Sequence, residues 1–215
     1  MTMMTGNGPH CALCHKNKKC KFDDGICLAD CPTKNYPDFA EQSIAYYAEQ
    51  KEDGFFLQSL RQVACGYEVD EKKNPRPTKS RVQELIEFSH RMGYRKIGVA
   101  FCTALEDDAK KLVQILQKEQ FEVVSVICKV GGIRKETIGL TEDEKIVPGR
   151  REISCNPYEQ ALICNKAHTD FNVVFGLCLG HDSIFLRESN ALCTVLVVKD
   201  RVYKHNPIKG IREHL

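Results

Sequence analysis

Two sets of cysteines dominate the chemistry available to this chain. Five crowd the stretch PHCALCHKNKKCKFDDGICLADCPTKNYP, where Cys11, Cys14, Cys20, Cys27 and Cys31 follow the spacing C-x2-C-x5-C-x6-C-x3-C-P. C-x2-C lets both thiolates reach one metal, and two further cysteines complete a tetrahedral zinc site or hold an iron-sulfur cluster. The closing C-x3-C-P matches the end of a bacterial ferredoxin run, but the middle spacings are longer, so the pattern leaves zinc and iron-sulfur both open. His10 and His15 are candidates to replace one thiolate. Lys16, Lys18, Lys19 and Lys21 would offset the charge of a four-thiolate site, unless they form a plain solvated face. Only Leu13, Phe22, Ile26 and Leu28 are on hand to build a core. Ordering each residue costs about 1 to 2 kcal/mol, so coordination is the economical source of order. The other reading is a disordered or redox-active thiol tail.

The remaining cysteines are spread out, and three of them close apolar runs: KIGVAFC ends at Cys102, EVVSVIC at Cys128 and NVVFGLC at Cys178. As parallel strands these runs would bring all three thiols to one edge of a sheet, where such folds place ligands and where helix N-termini favour anions. Cys155 precedes Asn156-Pro157, a helix-start signal. A simple αβ hairpin would begin that helix at the far edge, whereas the long connection over roughly 131–154 can carry Cys155 back to the strand ends. Four thiolates converging there, Cys102, Cys128, Cys155 and Cys178, suit a cubane 4Fe-4S cluster, and a structural zinc fits the same cage. Against this stand packing of small apolar residues and direct thiol chemistry. Gly176-Leu177-Cys178-Leu179-Gly180 matches a nucleophile elbow with cysteine in place of serine. Asp200 and His205 follow in the nucleophile, acid, histidine order, while His181 and Asp182 lie nearer and are the candidate partners of Cys178. About four strands are too few for the hydrolase fold that uses this elbow. Thr103 and Asp182 are candidate caps for the helices after Cys102 and Cys178, and Cys65, Cys164 and Cys193 read as structural.

The elements that must position these residues follow from periodicity. Helices are expected from Pro37 through IAYYAEQ, over FFLQSLRQVACG, and from a Thr78 or Ser80 cap to Gly93, with EVDEKKNPRPT as a polar linker. After Tyr94, apolar runs alternate with helices over EDDAKKLVQILQKEQ, PYEQALICNKAH and DSIFLRES, and CTVLVVKD closes the series. The expected fold class is α/β: an open, mainly parallel sheet of about four strands with flanking helices, plus an N-terminal Cys-rich metal-binding module and a helical segment. The expected division is 1–35, 36–94 and 95–215.

Composition narrows the classes further. Cysteine makes up 12 of 215 residues, about 5.6%, below the ~8 to 10% of small disulfide scaffolds. In a reducing compartment clustered thiols read as metal or redox groups rather than structural disulfides. Lys+Arg 31 against Asp+Glu 29 gives a net charge of +2, which excludes nucleic-acid binding driven by global charge. No apolar run approaches the roughly 18 residues of a membrane helix, and MTMMTGNGPH lacks the features of a signal peptide, so a cytoplasmic location without membrane attachment is expected. Lys199-Asp200-Arg201 and His205-Asn206-Pro207 could hold an anionic ligand beside the crevice or serve as surface turns. Gly131-Gly132 could let backbone approach such a ligand, but no standard nucleotide motif occurs.

The phrases GVAFCTALEDDA, CKVGG, CNPYEQA, GLCLGHDSIF and VVKDRVYKHNP, with the N-terminal cysteine run, resemble a prokaryotic domain family of unknown function whose members are described as cysteine-rich, predicted metal-binding proteins. The resemblance spans nearly the whole chain. It implies that Cys11, Cys14, Cys102, Cys128, Cys155, Cys178, His181, Asp182 and Asp200 occupy motif positions, and it supplies no reaction. Thr103-Ala104 departs from the small or glycine residues that the family pattern would put after the first-strand cysteine. The sequence thus points to a metal-binding protein with two thiolate sites, the sheet-edge one an iron-sulfur cluster used in electron transfer, redox sensing or catalysis, with a redox partner or a small anionic substrate. The alternatives are a zinc-stabilised interaction or storage protein and a cysteine hydrolase or transferase using Cys178. Whether the protein is an enzyme stays open at this point.

Overall fold

The computed structural model describes residues 8–50, 52 and 54–214, which fall into two compact units divided between Leu57 and Gln58. In the first, a short 3-10 turn at Cys11–Leu13 is followed by a single bridge from Lys18 to Ile26 and the helices α1 (Pro32–Asn35) and α2 (Pro37–Ala48). Proline opens both helices, where its missing N–H costs nothing. Neither helix buries a residue. α3 (Phe55–Cys65) spans the division.

The second unit is built on a four-stranded sheet. Its strands are β3 (Lys96–Phe101), β4 (Glu122–Ile127), β5 (Phe171–Phe175) and β6 (Cys193–Val197), in the order β4-β3-β5-β6 and all parallel. The central strands are near-continuous apolar runs because helices cover both faces, and Ile97, Val99, Ala100 and Val173 are fully buried. α5 (Glu106–Lys118) connects β3 to β4. It presents Ala109, Leu112 and Leu116 inward at helical spacing, and Glu106, Asp107 and Asp108 sit in its first turn at the positive end of the helix dipole. α6 (Pro157–Lys166) and α7 (His181–Glu188) bury Ala161, Cys164 and Phe185 in one cluster with Ala100, Cys102, Val126, Cys128, Val174 and Leu177. α8 (Pro207–Glu213) ends the described chain.

The fold class is the expected α/β arrangement; two local expectations change, and of the two cap candidates Thr78 and Ser80 the second holds. The stretch read as a polar linker forms an antiparallel hairpin, β1 (Tyr67–Val69) with β2 (Pro75–Pro77). Its turn is closed by the Asp70 carboxylate, which accepts the N–H groups of Lys72 at 2.9 Å and Asn74 at 2.7 Å. Ser80 caps α4 (Arg81–Arg91) through a reciprocal box with Gln83. Thr103 and Asp182 cap nothing: Leu105 and Gly180 occupy the cap positions of α5 and α7, and Asp182 lies inside the first turn.

Candidate metal centre

The strand order creates the site. After β3 the chain turns toward β4, and after β5 it turns the other way toward β6, so neighbouring strands send their connections in opposite directions. That divergence opens a crevice at the C-terminal edge between β3 and β5, the switch point where open α/β sheets hold ligands. Phe101 pairs with both Ile127 and Phe175, so Cys102 and Cys128 leave the sheet side by side and Cys178 follows three residues beyond the same level. Gly176 makes the exit from β5 possible. Its φ is +67°, and a Cβ there would meet Leu105 Cδ1 at 2.2 Å.

Cys155 arrives by the long connection after β4. That loop is organised rather than loose: Arg134 and Ile153 form an antiparallel bridge, and the Ser154 N–H donates to the Ile133 carbonyl at 2.8 Å. The Lys145 side chain is only 2% exposed, between the carboxylates of Glu136 and Glu142, and also donates to the Arg150 carbonyl at 3.2 Å. Lys135 pairs with Glu152 at 2.7 Å. The two ends of the loop close where the Asn156 N–H donates to the Cys128 carbonyl at 2.8 Å. Asn156 then caps α6 through the Glu159 N–H at 3.1 Å. The loop therefore returns Cys155 to the strand ends.

The four thiols gather at this edge, with Cys128 neighbouring both Cys102 and Cys155. Farther out, a sulfur of Cys155, the sulfur of Cys178 and a ring nitrogen of His181 all lie within 4.8 Å of one another. Cys102 and Cys128 are buried, and Cys155, Cys178 and His181 are half-buried at the mouth. Cations and N–H donors face these sulfurs. The Thr103 N–H points at Cys128 Sγ at 3.3 Å, Arg201 reaches Cys178 Sγ at 3.0 Å, and Lys199 and Lys129 add positive charge beside Cys102 and Cys155, the Lys129 ammonium donating to the Ile153 carbonyl.

The thiols shift one another. The neighbouring Cys128 thiol holds Cys102 and Cys155 well below the ordinary thiol range, with Lys199 and Lys129 adding to the effect. The same two neighbours, first Cys102 and then Cys155, push Cys128 far upward. Burial raises the Cys178 thiol, and Arg201 opposes that shift.

This geometry brings together Cys102, Cys128, Cys155, Cys178 and His181, whereas Asp182, Asp200 and His205 turn their side chains to local backbone. Asp182 directs its carboxylate to the adjacent Ser183 N–H at 2.8 Å. Asp200 accepts from the Val202 and Tyr203 N–H groups at 3.0 and 2.8 Å, and His205 Nδ1 lies 3.3 Å from the Asp200 amide nitrogen. Both shape the turn after β6, and the side chain from that turn that touches Cys178 is Arg201. Lys129 escaped the sequence reading, although its position directly after a strand-end cysteine was the available signal. The Thr103 contact comes from backbone and has no signal in side-chain type. Cys11, Cys14, Cys20, Cys27 and Cys31 lie in the first unit and line one cavity with His10 and Asp30.

Residues 31–196 match a protein family described as a protein of unknown function, DUF1847. The chain belongs to this family. It is also 50% identical, over 133 residues, to an uncharacterized protein of Methanocaldococcus jannaschii, an alignment that covers 62% of this chain and 67% of that protein. No solved structure matches the chain. The family span contains Cys102, Cys128, Cys155, Cys178 and His181, and it begins at Cys31, after the other four N-terminal cysteines. Among the described residues no helix is long and apolar enough to cross a membrane.

Proposed function

We propose that the chain is a metal-binding protein whose principal centre occupies the switch-point crevice on Cys102, Cys128, Cys155 and Cys178, and that this centre is an iron-sulfur cluster serving redox or cluster-based chemistry. The observation that carries the reading is the convergence of four sulfurs from three separate connections, those after β3, β4 and β5, faced by Lys129, Lys199 and Arg201. Packing alone gives no reason to gather four thiols beside three cations.

When bound, such a cluster supplies a one-electron couple or an open iron acting as a Lewis acid. The chain's own residues then have defined roles. Thr103 N–H and Arg201 donate to ligand sulfurs, an arrangement that tunes potential. Lys129 and Lys199 offset thiolate charge. His181 stands at the mouth, where it can ligate or hold a small anionic substrate. A cysteine nucleophile is less well supported, because activation requires a lowered thiol pKa and burial pushes Cys178 the other way. Zinc is the second reading, favoured by the compact trio of Cys155, Cys178 and His181, which offers three ligands to one ion.

The test is the content of iron, zinc and acid-labile sulfide per chain in anaerobically purified protein, compared with Cys102→Ser, Cys128→Ser, Cys155→Ser and Cys178→Ser combined. Iron and sulfide that disappear in the variant support the cluster. Zinc that disappears supports the second reading, and metal content unchanged by all four substitutions refutes a sheet-edge centre.

A further inference from the structure

The four sulfurs of the crevice are not equally accessible. Cys102 and Cys128 are 6% and 3% exposed, whereas Cys155 and Cys178 are half-buried, so a reagent arriving from solvent meets the outer pair first. The Sγ atoms of Cys155 and Cys178 lie within 4.8 Å of each other. A disulfide bond is ~2.05 Å long, so the gap closes by a movement of roughly 3 Å at most, shared between two side chains. Cys155 sits between the Arg134–Ile153 bridge and α6, and Cys178 between β5 and α7. Neither residue belongs to a strand, and joining them asks for no break in the sheet.

Positive charge faces both sulfurs. Arg201 reaches Cys178 Sγ at 3.0 Å, and the Lys129 ammonium is held on the Ile153 carbonyl, two residues before Cys155. A partly exposed thiol in electropositive surroundings, with a second thiol in reach, is the arrangement of an oxidation-sensing pair. In a reducing compartment such a bond is transient and reports oxidant rather than stabilising the fold.

We propose that Cys155 and Cys178 are a site of reversible oxidation by a peroxide, and that the disulfide they form empties the crevice of metal, a consequence that rests on the reading of the crevice as a metal centre. In the first step the Cys155 sulfur attacks one oxygen of hydrogen peroxide, the O–O bond breaks, and a sulfenic acid and one water result. In the second the Cys178 sulfur attacks the sulfenic sulfur, the S–O bond breaks, and the departing hydroxide takes the Cys178 proton and leaves as water. Two thiols and one peroxide thus give one disulfide and two waters, each sulfur losing one electron, and a dithiol reductant returns both. The disulfide withdraws two of the four donors, so bound metal and the cross-link exclude each other.

The experiment takes the full chain, demetallated under anaerobic conditions, adds an equimolar amount of hydrogen peroxide, alkylates the remaining thiols and maps the peptides by mass. The expected product is a cross-link between the peptides carrying Cys155 and Cys178, about 2 Da lighter than the two together and reversed by dithiothreitol. Cys102→Ser and Cys128→Ser should keep it. Cys178→Ser should stop at a sulfenic acid on Cys155, about 16 Da heavier. Chain loaded beforehand with iron and sulfide, or with zinc, should form the link about tenfold more slowly or less readily still, because the ligand sulfurs are occupied. A link to Cys102 or Cys128 instead, or oxidation of Cys155 in wild type with no link, overturns the proposal and leaves the metal-centre reading to stand on metal content. An equal rate in loaded and demetallated chain overturns the exclusion of metal by the disulfide. A Cys155–Cys178 link in a chain that takes up no metal supports the oxidation site and overturns the reading of the centre.

Discussion

Phe185 couples the packing of the second unit to the mouth of the centre. It is fully buried against Ala100, Cys102, Val126, Cys128, Ala161, Cys164, Val174 and Leu177. It also lies one helical turn after His181 on α7, so its ring anchors the turn that carries His181 and follows Cys178. Truncating a buried Phe to Ala costs about 3 to 5 kcal/mol, and Phe185→Leu, which keeps most of the volume, should cost about 1 to 2 kcal/mol. A suitable control is Phe88→Leu. Phe88 is 8% exposed and packs on Phe171, with ring centroids 5.9 Å apart, at the start of β5 and therefore roughly 13 Å from the end that leads to Cys178. Urea unfolding should show comparable losses for the two variants. Metal release to a chelator should separate them: an energy of 1 to 2 kcal/mol felt at the ligands is about a five- to 30-fold faster loss for Phe185→Leu, against less than twofold for Phe88→Leu. Equal release rates in the two variants would show that α7 does not position the donors and would refute the reasoning.

Three further outcomes follow from single contacts. Gly176→Ala meets both the positive φ and Leu105, so it should lose about 1 to 3 kcal/mol, read as a Tm lower by several degrees. In the 131–154 loop, hydrogen bonds from Lys145 hold Glu136 and Glu142 below the ordinary carboxylate range, and Lys135 does the same for Glu152. Lowered folded-state values mean that this stabilisation is complete above the unfolded carboxylate pKa of ~4.3 and is lost as pH falls through the folded values. Hydrogen exchange in the loop should thus be constant from pH 6 to 8, after correction for the intrinsic rate, and rise below about pH 4, while Lys145→Met should raise it already at pH 7. Arg201→Gln removes a cation 3.0 Å from Cys178 Sγ. At an exposed site that charge is worth about 1 kcal/mol to an added electron, so the potential of a bound cluster should fall by some 40 mV, and an unchanged potential would separate Arg201 from the centre.

Legibility in the sequence stopped where periodicity stopped. Cys102, Cys128 and Cys178 could be brought to one edge from sequence because each closes an apolar run, and parallel pairing turns shared position along a strand into shared position in space. The hairpin at Tyr67–Val69 and Pro75–Pro77 was hidden because two prolines demote any strand pattern, yet the pair is exposed and tolerates them. The return of Cys155 depends on Lys145, Glu136 and Glu142, charged residues that read as solvated surface until the fold encloses the ammonium group between its partners. The contacts of Lys129 and Arg201 with sulfur belong to tertiary structure alone: a lysine after one strand and an arginine after another have no spacing rule that joins them.

The charges around the crevice also argue about what it is built to receive. Four neighbouring thiols in a partly buried site resist ionisation, since each thiolate would repel the next. Here Lys199, Lys129 and Arg201 stand beside Cys102, Cys155 and Cys178 and favour the charged form of the sulfurs. A nucleophilic site would instead set one exposed thiolate apart from its neighbours. In this chain the sulfurs are gathered, and burial raises the thiol at the mouth, Cys178. A multivalent cation or a cationic cluster core suits that arrangement directly, because it displaces protons from several sulfurs at once. The cations beside Cys102, Cys155 and Cys178 would then lower the charge of a loaded centre.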